Sequence, residues 1–301
     1  ADSKVGGQIV VLGGNVTIDP QAELRYRPFV FLLHGHPFVP LVVASLLGIG
    51  AFSLIALPLL LWLVGYYFKR SHFYEPAKAA LLKLQARWSS LYVVAGFVLS
   101  AAMLYAFLSV AWNTFFKAST ALFDDAFIWL VRYYANPALD KFMLFITDIG
   151  FGKGYAIIVG FTFAVLAYKK RWHDISALGI CLAGAGLLSV ILKNSFHRLR
   201  PDSFFLVQET SYSFPSGHAM ASMCFYGMLA FFLMREVKSW PVRLLIATFA
   251  IILSLVIGIS RIYLGVHYPT DVVAGYAVGF MWLTFCISLL LRQQKKQQNN
   301  S

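Results

Sequence analysis

The sequence predicts an all-α polytopic transmembrane bundle, and three observations carry that prediction. Of 301 residues, 59% are hydrophobic and 13% are charged, with a mean hydropathy of +0.70; soluble domains carry about twice that charge. The apolar residues form continuous runs that approach the roughly 20 residues needed to cross a bilayer. The runs do not alternate polar and apolar positions, which disfavours a barrel, and lipid offers no partner to an open sheet edge.

Seven runs qualify, at residues 38–64, 91–112, 154–168, 174–193, 218–234, 242–260 and 271–291, the third starting nearer Ile149. Basic groups follow alternate runs. They are Lys69, Arg70, Lys78, Lys83 and Arg87, then Lys169, Lys170 and Arg171, then Arg235, Lys238 and Arg243, and finally Arg292, Lys295 and Lys296. Seven spans place all four groups on one side, which the positive-inside rule makes the cytoplasm. The N-terminus is then outside and the C-terminus inside. Topology and snorkelling account for most of the net charge of +12, and no basic face interleaved with aromatics points to nucleic acid.

Residues 1–37 are expected to form an extracytoplasmic piece, with a hairpin in QIVVLGGNVTIDP around Gly13-Gly14-Asn15. The opening ADSK lacks a methionine, as in a processed, trimmed or engineered N-terminus, and no signal peptide is visible. Residues 38–90 supply the first span and a cytoplasmic interfacial helix from Glu75 to Trp88, with Leu81, Leu84 and Trp88 on one face. The loop 113–148 carries Asp124, Asp125, Asp140 and Asp148, too many acids for a span, and predicts two amphipathic helices at the outer interface, parted at Asn136-Pro137. Cys181, Cys224 and Cys286 fall inside spans and read as small buried apolar side chains. Residues 293–301 are a polar tail.

Three polar clusters break the positive-inside pattern. KNSFHRLRP ends the fourth span with Lys193, Arg198 and Arg200; SFPSGH opens the fifth with Ser216, Gly217 and His218; SRIYLGVHYPTD joins the last two with Arg261, His267 and Asp271. The topology puts all three at the outer surface, where cations have no topogenic use, so a site is the natural reading. Forked and point cations suit phosphate oxygens. A helix N-terminus capped by Ser216 adds N–H groups and a dipole for an anion. His267 and Asp271 lie four apart, so a carboxylate can fix the imidazole tautomer, and His218 can protonate a leaving alkoxide. Arg198 and His197 are weaker candidates, suited to lipid headgroup contacts. His34, His36, His72 and His173 have no Asp at useful spacing and read as interfacial. Clustered cations and the lack of ligand spacing speak against zinc.

These motifs resemble the type-2 phosphatidic acid phosphatase family, within the superfamily of histidine-nucleophile acid phosphatases and vanadium haloperoxidases. Its three-part signature is present in order. Six residues separate Lys193 from Arg200-Pro201, Pro215-Ser216-Gly217-His218 follows, and five residues separate Ser260-Arg261 from His267, with three more before Asp271. The resemblance covers residues 91–292 and implies a six-helix phosphatase core, to which residues 38–90 add an extra N-terminal span. It implies His267 as nucleophile, Asp271 as its orienter and His218 as acid. Lys193, Arg200, Ser216, Gly217 and Arg261 would bind the phosphate, and no metal or cofactor is implied. The expected substrate is a lipid mono- or diphosphate such as undecaprenyl diphosphate, phosphatidic acid, phosphatidylglycerol phosphate or a lipid A phosphate. A bacterial cytoplasmic membrane is the expected location. A lipid phosphotransferase, a soluble-type haloperoxidase and a non-enzymatic lipid transporter are the competing readings.

Overall fold

In the computed structural model of this chain the described residues are 10–12, 29–31, most of 59–79, and 91–300 apart from residues 118, 134, 202–205 and 208. From residue 91 onward eight helices follow one another: α1 Leu91–Phe115, α2 Ala121–Arg132, α3 Pro137–Phe151, α4 Lys153–Tyr168, α5 Trp172–Phe196, α6 Gly217–Glu236, α7 Trp240–Tyr263 and α8 Pro269–Asn300. Six stretches among the described residues are long and apolar enough to cross a membrane: Val94–Phe115, Pro137–Tyr168, Trp172–Phe196, Gly217–Glu236, Trp240–Tyr263 and Pro269–Gln294. They overlap the last six predicted spans, the second of them beginning well before the predicted start. The extra span at 38–64 and the helix at Glu75–Trp88 lie largely outside the described residues.

The two helices expected in the 113–148 loop are α2 and α3, but α3 joins α4 in one candidate span of 32 residues. The acids that spoke against a span are used at helix ends. Asn136 caps α3 by accepting from the Ala138 and Leu139 amides at 3.1 and 3.0 Å, with Pro137 in the first turn. Asp140 accepts from the Tyr263 hydroxyl at 2.5 Å. Asp148 accepts from the amides of Lys153 and Gly154 at 2.9 and 2.8 Å, so it caps α4 across the extended Gly152. A carboxylate at a helix N-terminus is favoured by both the free N–H groups and the dipole.

The centre of the bundle is α6 and α8, in each of which more than half of the residues in the apolar stretch are buried, against less than a quarter in the other spans. The two pack on each other, with α1 and α5 against α8 and α5 and α7 against α6. Gly275 permits a close approach of the two backbones: a Cβ there would lie 2.6 Å from the Ser216 carbonyl oxygen and 2.9 Å from the Ala219 methyl. One apolar core joins Leu178, Cys181, Cys224, Phe225 and Met228; another gathers Phe107, Phe214, Met220 and Val278. All three cysteines are free and buried, as their apolar reading anticipates.

The spans alternate in direction. Arg171, at the start of α5, bonds Asp174 at 2.6 Å and Glu236, at the end of α6, at 2.7 Å; Arg235 also reaches Asp174 at 3.0 Å. That basic end is opposite the one that gathers the C-terminus of α5, the N-terminus of α6 and the α7–α8 turn. Near the N-terminus, strand β1 (Val10–Leu12) pairs in parallel with β2 (Phe29–Phe31). A hairpin partner would run antiparallel, so the described pairing differs from the expected one. The turn Gly13-Gly14-Asn15 lies outside the described residues.

Candidate active site

The site is assembled at four helix ends. Helix α5 closes with His197 in the left-handed conformation (φ 48°), its amide bonded to the Lys193 carbonyl at 3.1 Å. The chain then turns so that Arg198 and Arg200 face back over the bundle. After the 201–213 loop and a cis Phe214–Pro215 bond, Ser216 caps α6 by accepting from the Ala219 amide at 3.5 Å. The Ser216 amide donates to the Asp271 carbonyl at 2.9 Å and ties the start of α6 to the start of α8. Between α7 and α8 the chain reverses through Gly265 (φ 78°), a left-handed position that suits glycine.

These ends enclose a cavity of about 740 Å³ lined by Lys193, Arg200, Gly217, His218, Arg261 and His267 among others. Six of the eight sequence candidates therefore share one wall. Ser216 and Asp271 are fully buried behind it. Leu144, Phe151, Tyr155, Leu182 and Val190 supply an apolar part of the lining, beside the polar Thr147, Asp148, Ser189, Glu209 and Ser211. The Phe151 ring meets that of His218 edge-on, with centroids 5.4 Å apart.

His267 is held on both nitrogens. Its Nδ1 is 3.4 Å from Asp271 Oδ2 and 3.4 Å from Ser213 Oγ, and its Nε2 is 3.3 Å from an Arg200 terminal nitrogen. Ser213 Oγ donates to Asp271 Oδ2, which also accepts from the Tyr268 amide at 2.9 Å. An ionised Asp271 next to Nδ1 favours the tautomer with hydrogen on Nδ1, which leaves the Nε2 lone pair toward the cavity. Burial, then the Arg261, Arg200 and Lys193 charges, hold the His267 imidazole well below the ordinary histidine range.

The cations are fixed from behind. Arg200 donates to the Ser211 carbonyl at 2.8 Å, the Val266 carbonyl at 2.6 Å and the Ser211 hydroxyl at 3.0 Å, while Lys193 reaches the same hydroxyl at 2.9 Å. Arg261 donates to Thr147 at 2.8 Å and to Glu209 at 2.5 Å. Its buried Nε has no hydrogen-bond partner among the described residues, and a buried donor of this kind calls for an acceptor. Glu209 lies 3.8 Å from Arg200 as well, so one carboxylate bridges two cavity arginines. Among the described residues no group of three His, Cys, Asp or Glu side chains is arranged to hold a metal.

Sequence reasoning ranked Arg198 too low. It is not at the headgroup surface: it bonds Asp271 Oδ1 at 2.5 Å and Asp124 Oδ2 at 2.8 Å, beneath the cavity. Burial opposes its charge, but Asp271 and Asp124 outweigh burial and raise it above the ordinary arginine value. Ser211, Ser213, Glu209 and Thr147 were not singled out. Ser213 stood one residue before the FPSGH element, a position that could have been tested; Glu209 and Thr147 carry no spacing signal.

A helical membrane protein whose cationic cavity holds a histidine beside a carboxylate has the parts that metal-free phosphoryl chemistry needs. The comparisons specify it further: a family model of the PAP2 superfamily matches residues 174–295. Phosphatidylglycerophosphatase B of Bacillus subtilis is 35% identical over 162 residues, covering 52% of this chain and 78% of its own. An undecaprenyl-diphosphatase of Sulfolobus acidocaldarius is 29% identical over 52% of this chain and 72% of its own. The crystal structure of a transmembrane PAP2-type phosphatidylglycerolphosphate phosphatase from Bacillus subtilis superposes with a TM-score of 0.57 at 28% identity, covering 65% of this chain and 96% of that one. This chain belongs to the PAP2 superfamily.

Proposed function

We propose that this protein hydrolyses a lipid phosphomonoester or diphosphate through a phosphohistidine on His267, at the outer membrane face. The observation that carries the reading is the orientation of His267, with Nδ1 on Asp271 and Nε2 toward Arg200 and the cavity. Nε2 would attack phosphorus in line. The P–O bond to the lipid breaks as the P–N bond forms, and His218 supplies the proton to the leaving oxygen. Water then attacks the phosphohistidine, the P–N bond breaks and inorganic phosphate leaves. Lys193, Arg200 and Arg261, with the Gly217 amide at the capped start of α6, would neutralise the transition state.

The apolar wall of the cavity, with Phe151, Tyr155 and Leu182, supports a lipid substrate whose tail passes among α3, α4 and α5. The substrates in the relatives' names support the same class, and undecaprenyl diphosphate and phosphatidic acid lead the candidates. The gathering of Arg171 and Arg235 at the far end supports a cytoplasmic C-terminus and an extracytoplasmic site in a bacterial cytoplasmic membrane. The deciding assay measures phosphate release in detergent across mono- and diphosphate lipids, with His267→Ala as the blank. Release by the wild type alone is the expected result; equal traces on every lipid would remove the reading.

A further inference from the structure

We infer that Asp124 and Arg198 form a positioning relay for the reaction: Asp124 holds Arg198, and Arg198 holds both groups that brace His267. The inference rests on the phosphatase reading of His267.

The connections are continuous. One arm of the Arg198 guanidinium donates to Asp271 Oδ1 at 2.5 Å and to Thr270 Oγ1 at 2.8 Å; the other donates to Asp124 Oδ2 at 2.8 Å. The Tyr268 ring covers the same guanidinium at 4.0 Å from its centroid. Asp124 also accepts from the Thr270 amide at 2.9 Å and the Thr270 hydroxyl at 2.8 Å, which pins the residue before Asp271. The backbone completes the arrangement. The Arg198 carbonyl accepts from the Ser213 amide at 2.8 Å, and Ser213 in turn contacts both Asp271 and His267. Arg198 thus fixes Asp271 with its side chain and Ser213 with its main chain.

Charge explains why two carboxylates are present. A guanidinium given wholly to Asp271 would cancel much of the field that Asp271 exerts on the imidazole. Shared with Asp124, it orients Asp271 and leaves more of that negative charge for His267. Asp124 is 1% exposed and Asp271 0%, so neither charge is dispersed by water. Asp124 comes from α2, outside the 174–295 segment that the family model matches. Neither Asp124 nor Arg198 lines the cavity; both act through Asp271 and Ser213.

The test uses the full chain in detergent with phosphatidic acid and undecaprenyl diphosphate as probes. Asp124→Asn should lower kcat on the order of 10- to 100-fold, the scale of a displaced catalytic group, with KM changed less than about twofold. Arg198→Lys, which cannot span both carboxylates, should do the same. In the double variant the second change should cost less than it does alone, because both act along one path. Asp124→Glu keeps the charge and moves it by one methylene. A role in folding alone predicts a wild-type kcat per folded molecule there; the relay predicts a slower one at the same KM. An unchanged kcat in Asp124→Asn or Asp124→Glu, or additive losses in the double variant, would overturn the relay while wild-type turnover left the phosphatase reading intact. A wild type without turnover on either lipid would sink both.

Discussion

Glu209 Oε1 lies 2.5 Å from the Arg261 guanidinium, inside the cavity proposed to receive phosphate. A carboxylate in that position balances the charge of the arginine, and the same carboxylate opposes any anion that needs it. Glu209→Gln keeps the size and removes the opposition. Inorganic phosphate should then inhibit more tightly, by roughly three- to tenfold in Ki, since an anion recovers charge-assisted bonds previously shared with Glu209. Product-inhibition kinetics on both proteins measure it, and an unchanged Ki would count against the reading.

Arg261 tests the opposite sign. Arg261→Met removes a buried cation and leaves Glu209 facing Arg200 alone. The loss in kcat/KM should be about 3 kcal/mol, on the order of 100-fold, as for other preorganised transition-state donors. A loss below tenfold would place Arg261 outside the transition-state contacts.

His267→Ala should reduce phosphate release by on the order of 10⁴-fold or more, because no neighbouring group can replace a covalent nucleophile. Chelation with EDTA should leave the wild-type rate unchanged. A rate that falls with EDTA and returns with a divalent ion would contradict the metal-independent chemistry.

The pH dependence follows from the cations around His267. Burial and the Arg261, Arg200 and Lys193 charges lower its affinity for a proton below the ordinary value of 6.5. The neutral imidazole is the reactive form. Activity on the free-enzyme profile should therefore persist below that value before the acid limb falls. Arg200→Gln removes one of these charges, so the limb should move to higher pH. A pH profile of kcat/KM for both proteins shows the direction, and a shift to lower pH would refute the assignment.

Gly275→Val probes packing rather than chemistry. A Cβ at this position meets the Ser216 carbonyl oxygen at 2.6 Å, so α6 and α8 must separate at the site. Overpacking of this kind costs about 1–3 kcal/mol. The expected outcome is a lower thermal midpoint in detergent together with lost turnover, since the displaced helix end carries Asp271.

Much of this was legible in the sequence because continuous apolar runs and residue-specific motifs are local signals. The six spans from residue 91 onward, the Ser216 cap and the cavity lining by Lys193, Arg200, His218, Arg261 and His267 were all anticipated. What escaped were partners brought from elsewhere in the chain. Arg198 looked like a surface cation because its two acids come from α2 and α8, 74 and 73 residues away. Glu209 and Thr147 meet Arg261 only after folding. In the 113–148 segment the break at Asn136-Pro137 was legible, whereas the partners of Asp140 and Asp148 at helix ends were not.

The placement of Asp124 on α2 bears on how such chains are trimmed. A fragment cut to residues 174–295 would retain every signature residue, yet it would leave Arg198 and Thr270 without Asp124 and strip α1 from the flank of α8. If the relay holds, possession of the motif and competence to use it are separable properties, divided by a short helix that the motif does not include.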